Sequence, residues 1–370
     1  VYNNSTTGLY GKMYQLMHTY DSKTGTFGLP NTPEAKMEYL RQGELRNTDW
    51  FQELFSPAIM QSHSLSFTGG TKDLQTYVSM SALFDPGWMR ASTVRRYTGN
   101  LNATYTFSPK LSLTTQINAS ARNQRAPGTL TQSSSAVTGE VSRSFDINPF
   151  SYALGTTRTL LPDEYYRNNW APFNIFNEYK ANHLDIRLVD FKTQLEASYK
   201  ILPGLDARAL MAIRSASTTT RHEITERSNQ ILAYRAMETP EVARANTYLL
   251  HDPAHPELLP KSPLPAGGML MQGENSLRSY LLRLAVDYDK HWGNHDLKAF
   301  AFTELRAAER TSTPFSGYGI LYNRGGQILP SPGIFEKLSQ ENKSYFSDTR
   351  YTDRGVTFSA STTYGYAGRY

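Results

Sequence analysis

The fold class that the sequence predicts is all-β: an antiparallel transmembrane β-barrel with long extracellular loops on one rim. Three observations predict it. Apolar and polar residues alternate with period 2 over runs far longer than the usual 5–6 residues of a sandwich strand. The connections between those runs alternate between tight turns and long segments. The composition is tyrosine-rich (24 of 370 residues), with aromatics at 12% and no cysteine. Mean hydropathy is −0.51. No stretch approaches the roughly 18 consecutive apolar residues that a membrane-crossing helix needs.

Taken in order, a first strand is expected near 1–9. Strands at 62–69 and 74–84 follow; in the second, Leu74, Val78, Met80, Ala82 and Phe84 oppose Gln75, Ser79 and Ser81. In 97–107, Tyr97, Leu101, Ala103 and Tyr105 oppose Asn100, Asn102 and Thr104. Leu111, Leu113 and Ile117 oppose Gln116 and Asn118 in 111–122, and Phe191, Leu195 and Tyr199 oppose Lys192, Gln194 and Glu196 in 191–200. Further strands are expected at 204–227, 277–290, 294–310 and 355–370. Leu184, Ile186 and Leu188 lie on the opposite parity to Phe191, Leu195 and Tyr199, which predicts a β-bulge near 188–190. A short helix is expected over 33–46, opened by Thr32–Pro33 and stopped near Gly43.

The tight turns fall at 69–73, 108–110, 201–204 and 291–294, and the long segments at 10–61, 123–181, 228–274 and 311–354. Antiparallel neighbours send every second connection to the same side, so the long set shares one rim. Short turns on one rim and long loops on the other are the pattern of bacterial outer-membrane barrels. The apolar parity then faces lipid, where no hydrogen-bond partner exists, and the polar parity faces the lumen. Tyr97, Tyr105, Phe107, Tyr199, Tyr288 and Trp292 near strand ends fit interfacial girdles. The expected localisation is the outer membrane of a Gram-negative cell, crossed many times.

Catalytic patterns are missing: there is no G-x-S-x-G elbow, H-E-x-x-H or phosphate loop, so no enzyme is expected, with no catalytic residue, cofactor or metal. The lack of cysteine removes disulfides, thiolate zinc sites, iron–sulfur clusters and thiol nucleophiles. His251 and His255 are spaced i, i+4, but Pro253 and Pro256 forbid the helix that would align them. His291 and His295 flank a tight turn. A net charge of +5 spread over scattered Lys and Arg leaves no nucleic-acid footprint.

The loops look like recognition surfaces. Segment 162–180 carries Tyr165, Tyr166, Trp170, Phe173 and Tyr179 among amides and charges, and Trp88 stands in a shorter connection. Aromatic faces beside Asn and Arg donors suit sugar rings or peptide backbones, so these six are the expected substrate-binding residues. The alternative is that the aromatics pack the loop on itself. Segment 251–268 is Pro-rich and reads as a rigid extended loop.

Three stretches resemble the SusC/RagA-type TonB-dependent transporters: NTDWFQELF (47–55), SHSLSFTGGTKDLQTYVSMSALFDPGWM (62–89) and RRYTGNLNATYTFSPKLSLTTQINAS (95–120). The terminal YGYAGRY (364–370) is similar to a later family strand. The resemblance implies a 22-stranded barrel with an N-terminal plug, energised through TonB. It also implies a SusD-like lipoprotein lid and uptake of oligosaccharides or oligopeptides across outer-membrane lipid. About ten of the strands are expected here and neither plug nor TonB box is seen, so 1–370 reads as a partial barrel domain, a fragment. The other readings are a porin- or adhesin-like barrel without energised uptake, and a secreted glycan hydrolase, which needs a carboxylate pair in a cleft.

Overall fold

The computed structural model describes residues 7–128, 132–134, 141–143 and 147–367, with backbone alone at 132–134 and 141–143. Nine long strands dominate it: β1 (Gln61–Gly70), β2 (Leu74–Asp85), β3 (Thr93–Ser108), β4 (Leu111–Pro127), β5 (Asn182–Leu202), β6 (Leu205–Ile224), β7 (Gly268–Trp292), β8 (His295–Leu321) and β9 (Thr349–Tyr366). Every neighbouring pair is antiparallel and the strands lie in chain order. A two-residue strand, Gln327–Ile328, shares the outer edge of β8 with β9 and completes a ten-stranded sheet. No ladder joins β1 to β9 among the described residues.

Tight turns close the pairs β1–β2, β3–β4, β5–β6 and β7–β8 at one rim. Two need a left-handed glycine: Gly204 (φ 82°), packed under the Asp289 carbonyl, and Gly293 (φ 58°). The strands grow along the sheet, from 10 residues in β1 to 27 in β8. They therefore run well beyond the expected ends, β8 reaching Leu321 and β7 starting at Gly268.

Register places the alternating residues as expected. Leu101 pairs with Ile117, Tyr105 with Leu113 and Thr115 with Leu195 on one face; Asn100 pairs with Asn118 and Asn102 with Gln116 on the other. The first face exposes large apolar side chains, including Leu65 (74%), Met80 (63%), Val356 (74%) and Phe358 (74%). An exposed apolar surface of that extent marks contact with something other than water. The second face carries ion pairs: Arg214–Asp190, Arg208–Asp287 and Arg283–Glu304.

One expectation falls largely outside the described residues and another is corrected. The strand expected near 1–9 covers residues 1–6, which lie outside the described residues; at its described end, Leu9 opens helix α1 (Leu9–His18), whose Leu9 and Met13 face inward at i, i+4. The bulge near 188–190 is absent, because both ladders of β5 run unbroken through Leu188, Val189 and Asp190. The parity switch has another cause. Beyond Val189 the outer face of β5 turns charged (Arg187, Asp185), while Leu184, Ile186 and Leu188 occupy the inner face. A strand leaving an apolar band exchanges the solvents on its two faces without changing register.

The expected helix over 33–46 forms as α2 (Pro33–Glu44), where the Thr32 hydroxyl accepts the Ala35 N–H at 3.2 Å. Further short helices are α3 (Trp50–Leu54), α4 (Pro149–Gly155), α5 (Ile175–Ala181), α6 (Asn229–Ala233), α7 (Pro240–Ala245) and α8 (Pro332–Gln340). All lie in the long connections. None of the helices is long and apolar enough to cross a membrane.

Candidate ligand-binding cleft

The packed core of the chain lies in its loops. Trp50, Leu54, Ile147, Leu160, Tyr166, Phe173, Ile175 and Tyr179 form one cluster from the segment before β1 and the segment between β4 and β5. Polar ties fix the same joint: the Trp50 indole N–H donates to the Thr157 carbonyl (2.8 Å), the Thr48 hydroxyl to the Leu160 carbonyl (2.7 Å), and Arg46 pairs with Glu164 at 3.0 Å. A second cluster of Ile224, Ile231, Leu264 and Met269 seats the connection between β6 and β7 on the strand ends. Lys337 Nζ, in the connection between β8 and β9, donates to the carbonyls of Thr247 and Leu249, each at 3.0 Å. All four long segments therefore interlock on one rim.

Asn229 is the hinge pin between the β4–β5 and β6–β7 segments. Its side-chain amide donates to the carbonyls of Asn168 (2.7 Å), Ala171 (3.0 Å) and Pro172 (3.1 Å), and its backbone N–H donates to Glu178 Oε1 at 2.8 Å. Glu178 is only 1% exposed, and burial pushes its carboxyl from 4.5 up to about 7 against the bonds from Asn229 and Asn177. The folded loops thus hold a proton that the unfolded chain releases between those two values. Their stability is therefore full below the window and falls as pH rises through it, by up to about 3 kcal/mol. Proteolysis of 225–267 is expected to be faster at pH 8 than at pH 5, and Glu178→Gln to flatten that difference. An equally steep pH dependence in the Gln variant would remove Glu178 as its source.

Beside this joint lies a cleft of about 770 Å³, within the size range of ligand sites. One wall is α1, with Tyr10 and Tyr14 on its exposed side; the other is the hairpin of Tyr166–Asn168 and Ala171–Phe173, with Tyr165 and Trp170. Arg167 and Glu238 pair across the floor at 2.9 Å, and the Arg167 backbone N–H donates to Gln15 Oε1. The Lys12 ammonium, also in the lining, has its pKa lowered by burial, against the pull of Glu164.

The hairpin turn is built on Asn169 (φ 48°) and Trp170 (φ 69°). Such a turn favours glycine at its second position, and a left-handed non-glycine residue costs about 1–2 kcal/mol. The Trp170 side chain lines the cleft. Trp170→Gly is expected to leave the hairpin as stable or up to about 1 kcal/mol more stable. It is also expected to weaken ligand capture by about 1–3 kcal/mol, the scale of a stacking contact. Calorimetry of binding beside thermal unfolding separates the two effects; a loss of stability without loss of affinity would make Trp170 a packing residue.

Of the six expected substrate-binding residues, Tyr165, Tyr166 and Trp170 line the cleft. Phe173 (2% exposed) and Tyr179 (8%) are interior to the loop core, and Tyr166 (8%) shares that core while touching the cleft. Trp88 is 58% exposed and stacks on Phe55 with ring centroids 5.0 Å apart, in an aromatic column away from the cleft. Tyr10, Tyr14, Arg167 and Glu238 were not foreseen; the i, i+4 spacing of the two tyrosines was the available signal. His291 lies 2.6 Å from Asp296, and His295 meets the Tyr364 hydroxyl at 2.5 Å. Among the described residues no group of three His, Asp or Glu side chains is placed to hold a metal ion.

No family model matches the chain. A stretch of 61 residues, 16% of this chain, is 36% identical to the TonB-dependent receptor SusC of Bacteroides thetaiotaomicron and spans 6% of that protein. The fold is similar to that in the structure of the RagAB peptide transporter, with a TM-score of 0.59 at 16% identity over 91% of this chain and 34% of that one. The RagAB peptide importer in its open-open state gives a TM-score of 0.59 at 16% identity, covering 91% and 33%. Its closed-closed state gives 0.58 at 16% identity, covering 87% and 32%. The chain thus spans about a third of the RagAB chains that it matches. The resemblance to SusC/RagA-type transporters, read first in the strand motifs, is present in both sequence and fold.

Proposed function

We propose that residues 1–370 form part of the wall and outer rim of a TonB-dependent nutrient transporter in a Gram-negative outer membrane. The observation that carries the reading is the sheet itself. It exposes an apolar face of large side chains, keeps ion pairs on the other face, and gathers four long segments on one rim. A barrel wall between hydrocarbon and a wet lumen requires that arrangement. In this reading the wall belongs to a 22-stranded barrel, further strands pair the free edges of β1 and β9, and a plug couples the barrel to TonB. A SusD-like lipoprotein closes over the loops. The likeness to a peptide transporter favours oligopeptide cargo over oligosaccharide. The cleft between α1 and the Trp170 hairpin is where cargo first docks, its aromatic walls stacking on flat groups and its Arg167–Glu238 pair meeting amides or charges. Transport is preferred to catalysis because the sequence and structural likenesses are both to transporters.

Residues 1–370 contain no cysteine, so single cysteines placed in them can report the topology of this segment. Single cysteines at Tyr165→Cys and Lys110→Cys, probed on intact cells with an impermeant maleimide, are expected to label at 165 and not at 110. Labelling at 110 alone would overturn the orientation, and the docking role of the cleft with it.

A further inference from the structure

On the apolar face, at the end nearest the long loops, the sheet has a trough with a basic lip. Met80, Gly99, Ala119 and Phe191 are consecutive partners across β2 to β5. The two small residues form a floor between two large walls, spanning about 14 Å at ordinary strand spacing. A Cβ added at Gly99 would meet nothing within 4 Å, so no neighbour in the chain explains the missing side chain. The hollow holds about 660 Å³. Four residues further along β3, on the same face, stands Arg95, whose row runs through Asn123 to Arg187. The next row holds Arg125, Asp185 and Arg221. These four arginines line one depression of about 440 Å³.

The carboxylates there are already engaged. Asp185 accepts two bonds from Arg125, at 2.8 and 2.7 Å, and Glu223 takes the Arg221 guanidinium at 2.6 Å. Arg95 and Arg187 have no hydrogen-bond or ion-pair partner among the described residues, and Glu274, the next acid in their row, is two strands beyond Arg187. An apolar trough leading up to two free guanidinium groups is complementary to an amphiphile with hydrocarbon chains below and a phosphate above, which guanidinium holds bidentately.

We propose that this trough is a binding site for the phosphorylated, multiply acylated glycolipid of the outer leaflet, with Arg95 and Arg187 on its phosphate and an acyl chain over Gly99 and Ala119. The proposal rests on the membrane orientation given above, which sets the long-loop end at the outer leaflet. The fold supplies its own control: Arg96 on β3 and Arg122 on β4 pair at nearly the same height, on the opposite face.

The test uses the full-length protein, stripped of lipid in detergent and placed in phosphatidylcholine nanodiscs, with bisphosphorylated lipid A added and the retained lipid measured by mass spectrometry. Wild type is expected to retain lipid A. Arg95→Ala with Arg187→Ala is expected to lower retention about ten-fold, the scale of losing two charge-assisted contacts. Gly99→Leu, which fills the trough without touching charge, should lower it comparably, and Arg96→Ala with Arg122→Ala should leave it unchanged. Dephosphorylated lipid A is expected to bind weakly and millimolar inorganic phosphate not to displace the lipid. Equal retention in every variant would overturn the site while leaving the orientation standing. Loss in the Arg96/Arg122 variant alone would instead reverse the faces. Full displacement by phosphate would make it a free-anion site, and a change of oligomer mass in Gly99→Leu without lipid loss would make it a seat for a second copy; either result overturns the proposal.

Discussion

Phe173→Ala is expected to loosen the rim by about 3–5 kcal/mol, the cost of deleting a fully buried ring from a core that cannot collapse. Phe173 is 2% exposed and touches Tyr152 and Tyr166, with centroids 6.1 and 5.3 Å away. Its neighbours belong to two chain segments joined in one cluster with Trp50 and Leu54. The loss should therefore appear in both segments together. Hydrogen exchange is the suitable measurement, because it resolves local opening from global unfolding. Amides in 47–55 and in 147–179 should speed up in concert, while those of β3 and β4 stay protected. Tyr165→Ala, at a residue 45% exposed, should change exchange by less than about 0.5 kcal/mol. Faster exchange confined to 166–173 would mean that the two segments are neighbours without a shared core.

Arginine at Ile117, or at Leu113, is expected to destabilise the inserted sheet by about 2–4 kcal/mol, as charge on a lipid face does near the bilayer midplane. Ile117 pairs with Leu101, midway along β3 between Tyr97 and Tyr105 on the same face. Gln116 pairs with Asn102 on the other face and should accept arginine with little cost. Urea titration of the protein refolded into lipid vesicles compares the variants directly. Equal tolerance at 116 and 117 would sink the assignment of faces. On β5, Val189 to Tyr199 covers about 33 Å of strand, or about 25 Å of depth at a barrel tilt, which matches the apolar band.

Within that band the sequence was readable because one rule holds along each strand: apolar side chains on one face, amides and ion pairs on the other. Asn100, Asn102, Gln116 and Asn118 needed no structure to be assigned to a common face. Above the band the rule inverts. Asp185 and Arg187 turn outward to solvent while Leu184, Ile186 and Leu188 turn toward the interior, and alternation alone mistook this reversal for a bulge. The first helix was missed because 10–18 was read as part of the long segment 10–61, and its helical period shows only once Leu9 and Met13 are seen to share a buried side. In the cleft, composition identified the loop but not the division of labour within it. The Tyr166–Phe173 pair faces the core while the adjacent Arg167–Pro172 pair faces the cleft, and only the hairpin register decides which is which. Arg167 and Glu238 meet across 71 positions of sequence, a distance over which local pattern is silent.

The lengthening of the strands has a consequence for the shape of the rim. At a tilt near 40°, the 10 residues of β1 rise about 25 Å from the tight turns and the 27 of β8 about 70 Å. The upper edge of this wall is thus a ramp, low at β1 and high at β8. In the transporter proposed above, a large ligand would meet the raised edge of β7 and β8 first and be turned by shape toward the low side.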